Sequence, residues 1–325
     1  MLKAVPAGGH AVARSLPLFL LLAGQCVLGQ TGAPPQTTIS VDVDLVVLQA
    51  TVLDKKGGFV SGLTERNFRV FENDVPQTIR NFEHEDVPVA VGLIVDNSGS
   101  MQRKRKDVVA AALAFVHSSN PQDDMFVVNF NDRVSFGLAN TELFSAKASE
   151  LIGALNGVPA YGRTALYDAI EAGLAHVQKA TLDKKVLIVI SDGGDNASRH
   201  TLSQVLHSAG ISNVMIYTVG LFDEYDEDRD PGVLKKISRA TGGEAFFPKE
   251  TVQVVPICKR IAADIRNQYT IGYIPSNQKL DNTYRKISVT AIGPHGRHLR
   301  VRTRAGYIAS PKRLAHPASS GSDPR

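Results

Sequence analysis

The stretch "VAVGLIVDNSGSMQRKRKDV", Val89 to Val108, decides the fold. Its first seven residues carry no polar side chain and show no alternation, the pattern of a strand buried on both faces. An aspartate, an asparagine and two serines around a glycine follow at once. Such a strand is either turning sharply or delivering oxygens to a site, and the rest of the chain decides which.

Working outward, β-branched apolar runs recur at 125–130 ("MFVVNF"), 186–190 ("VLIVI") and 214–220 ("VMIYTVG"). Segments with helical spacing separate or follow them, at 104–118, 145–155, 165–179, 201–209 and 232–241. Continuous apolar strands alternating with helices predict an α/β domain with a doubly wound, mostly parallel, Rossmann-like sheet. "RVSFGL" (133–138) follows its neighbour too closely for a crossover and is expected as an antiparallel edge. "GGEAFFP" (242–248) supplies a last strand. Residues 251–266 form a closing amphipathic helix, with Pro256 tolerable near its first turn.

Outside this region the pattern is alternation. "VDVDLVVLQATVLD", "FRVFEND" and "QTIRNFEHE" precede Val89, with a short helical turn at "LTERNF". "QYTIGYIP", "YRKISVTAIG" and "HLRVRTRAGYI" follow Asn267. Roughly three antiparallel strands on either side are too few for a core of their own. The two sets, 41–86 and 267–309, are therefore expected to join as one β-sandwich, with the α/β domain (87–266) inserted between them.

Lys3 and Arg14 precede a largely apolar run, Leu16 to Leu28, in the manner of a secretory signal peptide (1–29). Cleavage is expected near Gly29–Gln30, giving a secreted, periplasmic or envelope protein; an uncleaved anchor is the alternative. The run is too short for a membrane span, and no later segment suffices for one. Once the signal is removed, Cys258 is the single cysteine and the core must hold without a disulfide. A polar spacer (30–40) and a polar tail (310–325) are expected to be disordered.

The composition is that of a globular protein, 43% hydrophobic and 21% charged over 325 residues with net charge +4. From Arg285 onward nine basic residues face one acid, Asp323, so the remainder is net acidic. The arginines of "HLRVRTRAGYI" alternate with apolar residues and are expected on the solvent face of a strand, without a nucleic-acid partner.

Three segments lie at or beside carboxyl ends of predicted parallel strands, where doubly wound sheets bind ligands: "DNSGS" (96–100), "YGRTALYD" (161–168) and "SDGGDN" (191–196). Asp96 and Asp192 supply two charges; Ser98, Ser100 and Thr164 supply hydroxyls. That set suits a hard divalent cation, Mg²⁺ first, with Mn²⁺ or Ca²⁺ as alternatives. It would roughly neutralise the ion without surrounding it by acid, leaving a position open to an outside carboxylate.

These residues resemble the von Willebrand factor type A domain. Its metal-ion-dependent adhesion site combines D-x-S-x-S with a threonine on a second loop and an aspartate on a third. Asp96, Ser98, Ser100, Thr164 and Asp192 match in order, and the resemblance covers about 87–250. It implies a metal-dependent adhesion or protein-interaction module, completed by an Asp or Glu of a partner protein. "FRVFENDVPQTI", "TGGEAFF" and "YTIGY" further resemble a bacterial group of secreted proteins related to this domain.

Asp195, Asn196, Asn97 and Gly99 are expected to orient the metal loops. Arg103, Lys104, Arg105 and Lys106 read first as a solvated helix start, and otherwise as cations that guide an acidic partner. "FDEYDEDRDPG" (222–232) is a solvated loop or, less simply, a second metal site, with no EF-hand spacing. No H-E-x-x-H, G-x-S-x-G or glycine-rich phosphate loop is present, and His200 reads as a surface residue. The reading is therefore a non-enzyme. A metal-assisted hydrolase and an envelope scaffold with a structural metal are the alternatives.

Overall fold

The computed structural model describes residues 45–222 and 229–311. The expected signal peptide, the spacer and nearly all of the tail lie outside the described residues, as do residues 223–228 of the acidic stretch. The described residues form one compact unit.

The described chain begins with β1 (Val46–Leu53), β2 (Phe68–Glu72), β3 (Val75–Gln77) and β4 (Ile79–Glu83). Next come β5 (Val89–Asp96), α1 (Arg105–Ser118), β6 (Asp124–Phe130), β7 (Val134–Phe136), α2 (Ala148–Asn156) and α3 (Leu166–Val177). β8 (Lys184–Ser191), α4 (Leu202–Ile211), β9 (Val214–Gly220), α5 (Pro231–Thr241), β10 (Ala245–Phe246) and α6 (Val254–Arg266) follow. β11 (Gln268–Tyr273), β12 (Tyr284–Ile292), β13 (His298–Arg302) and β14 (Gly306–Ile308) complete it.

The inner sheet runs β10-β9-β8-β5-β6-β7, parallel except for β7, the expected antiparallel edge. Every residue of β5 is buried, which is why its sequence shows no alternation. One apolar core packs α1, α2 and α6 on one face of this sheet, and a second packs α3, α4 and α5 on the other. β5 has β8 on one side and β6 on the other, in register from Val89↔Lys184 to Val95↔Ile190. The strand order therefore reverses beside β5, and the carboxyl ends of β5 and β8 open onto the same crevice. Pro256 sits in the first turn of α6, where its missing N–H costs little.

The flanking segments interleave in the order β3-β2-β12-β13-β1-β11-β4, with β14 on β12. They join as expected, but through one hydrogen-bonded sheet that curls on itself instead of two separately bonded layers. β13 makes the link, pairing with β12 through Leu299 and His298 and with β1 through Arg300 to Arg302. Curling brings Phe68 of β2 to 5.3 Å from Phe82 of β4 and 5.1 Å from Tyr269 of β11, ring centre to ring centre. The far ends of the sheet thus share one core.

The arginines expected on a solvent face are largely turned inward. Arg304 is buried and donates to the carbonyls of Gly210, Ser212 and Gly306, breaking "HLRVRTRAGYI" into β13 and β14. Arg302 pairs with Asp264 of α6 and with Glu244. Alternation located the face correctly; what covers that face is the α/β layer and not water.

Lys184, at the start of β8, is 5% exposed and donates its ammonium to the Ile265 carbonyl near the end of α6. Burial pushes this lysine from 10.5 down to about 8, against the pull of Asp264, Asp86 and Asp123. Between those values the unfolded chain binds more protons than the native one, so stability rises with pH through that window. Tyr217 and Cys258, pushed up by burial, work the other way only from about pH 9 upward. Urea denaturation should show the wild type gaining about 1 kcal/mol between pH 8 and 9. Lys184→Met should lack that rise; an identical rise in the variant would refute the assignment.

Candidate metal centre

The carboxyl end of β5 delivers Asp96, 2% exposed, into the crevice beside β8, whose end delivers Asp192, also 2% exposed. Asp96 accepts the backbone N–H of Ser98 at 2.8 Å and the Ser191 hydroxyl at 2.6 Å. Asp192 accepts the Gly194 N–H at 3.1 Å and the Ser100 hydroxyl at 2.5 Å. Ser98 and Ser100 lie with their hydroxyl oxygens 3.0 Å apart. Ser98 is buried, whereas Ser100 is exposed at the mouth.

Thr164, 5% exposed, comes from the loop before α3 and is held against the third loop. Its N–H donates to the Asn196 side-chain oxygen at 2.9 Å, and its carbonyl accepts from Asn196 and Ala197, both at 3.0 Å. The second loop is fastened to the first by Gly99 N–H to Gly162 O, 3.1 Å, and Tyr161 N–H to Asn97 O, 2.9 Å. All three segments that the sequence singled out therefore meet at one crevice.

The supporting residues divide. Asn196 and Gly99 brace the loops as described. Asn97 is buried, its amide donating to Asn129 Oδ1 and the Val95 carbonyl. Asp195 accepts from Tyr167 N–H and the Ser198 hydroxyl, so it fixes the start of α3. Two of the four cations depart from expectation: Lys104 is buried and donates to the Leu221 carbonyl, and Arg105 donates to Leu155 O. A helix start packed against two loops takes its basic side chains as braces. Arg103 and Lys106 remain exposed. His200, exposed, bonds Asp168 through Nδ1 at 2.7 Å and reaches none of the five oxygens through any bond described. Of the acidic stretch, Asp230 caps α5 by accepting from Val233 N–H.

Sequence reasoning missed Ser191, whose hydroxyl bonds Asp96 and also accepts from Gly193 N–H. A serine at the last position of a buried strand, beside a candidate ligand, was the available signal. It also missed Gly162. There φ is +82°, and a Cβ would stand 2.4 Å from Asp132 Oδ1. Gly162→Ala is expected to cost about 1–2 kcal/mol and to weaken metal binding through the displaced Thr164 loop. Chemical denaturation and a Mg²⁺ titration together check this.

Burial, and next the charge of Asp192, push Asp96 up to about 7. Two buried carboxylates bonded to hydroxyls and backbone N–H groups hold negative charge that a cation would relieve. Among the described residues no group of three or more His, Cys, Asp or Glu converges. The hydroxyl-rich set accordingly favours a hard, oxygen-seeking ion over a soft one.

The family model for the von Willebrand factor type A domain matches residues 91–256, half of the chain. The chain belongs to the von Willebrand factor type A domain family. No curated protein matches it. Several solved structures are similar to this VWA chain in backbone. BatB from Bacteroides thetaiotaomicron is 12% identical, with TM-score 0.45, over 55% of this chain and 98% of that one. A von Willebrand factor type A protein from Catenulispora acidiphila is 14% identical, with TM-score 0.49, over 82% and 74%. The vWF domain of the type V pili tip protein Mfa5 from Porphyromonas gingivalis is 14% identical, with TM-score 0.47, over 55% and 95%.

Proposed function

We propose that this VWA protein is an exported, metal-dependent interaction module. A divalent cation, Mg²⁺ in the first place, is held by Asp96, Ser98, Ser100, Thr164 and Asp192. A partner protein contributes an Asp or Glu carboxylate to the same ion. When bound, the cation supplies Lewis acidity towards that carboxylate. The chain's own residues position the set: Ser191 and the Ser98 N–H aim Asp96, Asn196 aims Thr164, and Ser100 stands at the mouth.

The observation that carries this reading is the meeting of three loops at one crevice, where two buried carboxylates and the Ser98 and Ser100 hydroxyls are linked and the Thr164 loop is fastened beside them. Export rests on the N-terminal signal pattern, and no described helix is long and apolar enough to cross a membrane. The module is read as a non-enzyme because, among the described residues, no histidine is bonded to a hydroxyl of the crevice, His200 being bonded to Asp168.

Calorimetric titration with Mg²⁺ and Mn²⁺, followed by capture of an immobilised acidic peptide with and without chelator, tests the proposal. Binding of metal and chelator-sensitive capture are expected. Metal binding without any carboxylate dependence would sink the interaction reading. If chelation instead unfolds the domain, the scaffold alternative is correct.

A further inference from the structure

A second recess lies away from the crevice, between α5 and the antiparallel sheet. It is a groove of about 440 Å³, within the usual range for small-ligand sites. One wall is a single face of α5, carrying Gly232, Lys235, Lys236 and Arg239; the other is formed by Tyr284 and Ala305. The spacing 232, 235, 236, 239 puts these side chains on one helical stripe. The opposite stripe, with Val233, Leu234 and Ile237, is buried in the core.

Three properties set the groove apart from an ordinary solvated helix face. No acidic residue lines it. Lys236 and Arg239 are exposed, and their side chains have no ionic or hydrogen-bonding partner among the described residues. Tyr284 is a large aromatic side chain left 56% exposed. The ring lies so close over Gly306 that a Cβ there would stand 2.4 Å from Tyr284 Cζ and 2.3 Å from the Arg285 carbonyl. A side chain at 306 would meet the Arg285 carbonyl, so the glycine leaves room for the Tyr284 ring on the wall across from the cations.

We infer that the groove binds an acidic saccharide, with a sugar face on Tyr284 and carboxylate or sulfate groups on Lys236, Arg239 and Lys235. A flat, exposed aromatic ring offers a sugar's C–H face the apolar surface it needs, and a bare lipid headgroup gains little from it. Arg239 reaches an oxyanion bidentately and the lysines act as point charges. The site uses none of the five oxygens of the metal centre and stands independently of the proposed cation.

The test is calorimetric titration of the full chain, in EDTA, with a short oligogalacturonate, its fully methyl-esterified form and a sulfated oligosaccharide. Binding of one or both charged probes and not of the ester is expected. The Lys236→Ala/Arg239→Ala double variant should weaken it roughly tenfold, as two exposed ion pairs would. Tyr284→Ala should weaken it several-fold, with Tyr284→Phe retaining affinity. All substituted side chains are exposed, and an unchanged melting temperature would certify that the variants fold. Failure of the wild type to bind either charged probe overturns the inference. So does binding that survives Tyr284→Ala undiminished, with anionic phosphatidylserine vesicles bound as tightly, since that result defines a bare cationic face.

Discussion

Asp264→Ala is expected to destabilise the native protein by about 3–5 kcal/mol, the cost of breaking a buried ion pair from one side. Asp264 is 1% exposed and sits on α6 at the join between the two layers. It accepts from Thr51 of β1 at 2.7 Å and from the Tyr217 hydroxyl of β9 at 3.0 Å, and it pairs with Arg302 of β13. Burial opposes the Arg302 charge, and Asp264, with Tyr217 and Glu244, outweighs that opposition and holds its ionisation above the ordinary range. Removing Asp264 leaves a guanidinium in the interface with Glu244 as its remaining carboxylate. Asp264→Asn, which keeps hydrogen-bonding capacity without the charge, should cost less. An apolar pair, Asp264→Leu with Arg302→Met, should recover much of the loss, because desolvation of both charges is then avoided. Urea denaturation of the four proteins measures this, and a loss below about 1 kcal/mol for Asp264→Ala would refute the account.

The second large effect has opposite signs on binding and on stability. Asp96→Asn is expected to abolish Mg²⁺ binding and, in chelator, to stabilise the fold by on the order of 2 kcal/mol at pH 8. The amide keeps an oxygen for the Ser98 N–H, turns its NH2 towards the Ser191 hydroxyl oxygen, and removes a buried charge that faces Asp192. Asp96 is pushed up from 3.8 to about 7. The native state therefore holds its proton where the unfolded chain has lost it. Stability falls as pH rises through that interval, and the cost is fully present above about 7. The gain from Asp96→Asn should accordingly be large at pH 8 and vanish below about pH 4. Thermal melts in EDTA and in Mg²⁺ separate the two effects. A destabilised apo variant would show that Asp96 serves packing more than charge.

Much of this was legible in the sequence, for a local reason. Asp96, Ser98, Ser100, Thr164 and Asp192 each follow a strand or precede a helix whose hydrophobic pattern is strong, so placing the elements placed the loops. The inner sheet and its antiparallel edge followed from unbroken apolar runs and one gap too short for a crossover. The arginines of the last strands were harder. Alternation tells which side of a strand a residue faces and not what lies there, so Arg302 and Arg304 read as solvated while they in fact join two layers. Lys104 was misjudged for the same reason. Its partner, the Leu221 carbonyl, stands 117 residues away, and no local pattern foretells it. Ser191 and Gly162 act through hydrogen bonds and φ, which a single sequence expresses weakly.

The interleaving of the outer sheet also sets an order of events during synthesis. β1 pairs with β11 and β13, and Thr51 stands 217 residues before Gln268. The first strand made, β1, therefore has no strand partner until nearly the whole chain has emerged. The α/β insertion is expected to close that gap by folding first, since its own contacts are nearer in sequence, and then to present β4 and β11 as hydrogen-bonded neighbours. Until it does, the apolar residues of β1 are an unpaired edge exposed to other chains. A lesion in the inserted domain should thus appear first as aggregation through β1, before any loss of binding is noticed.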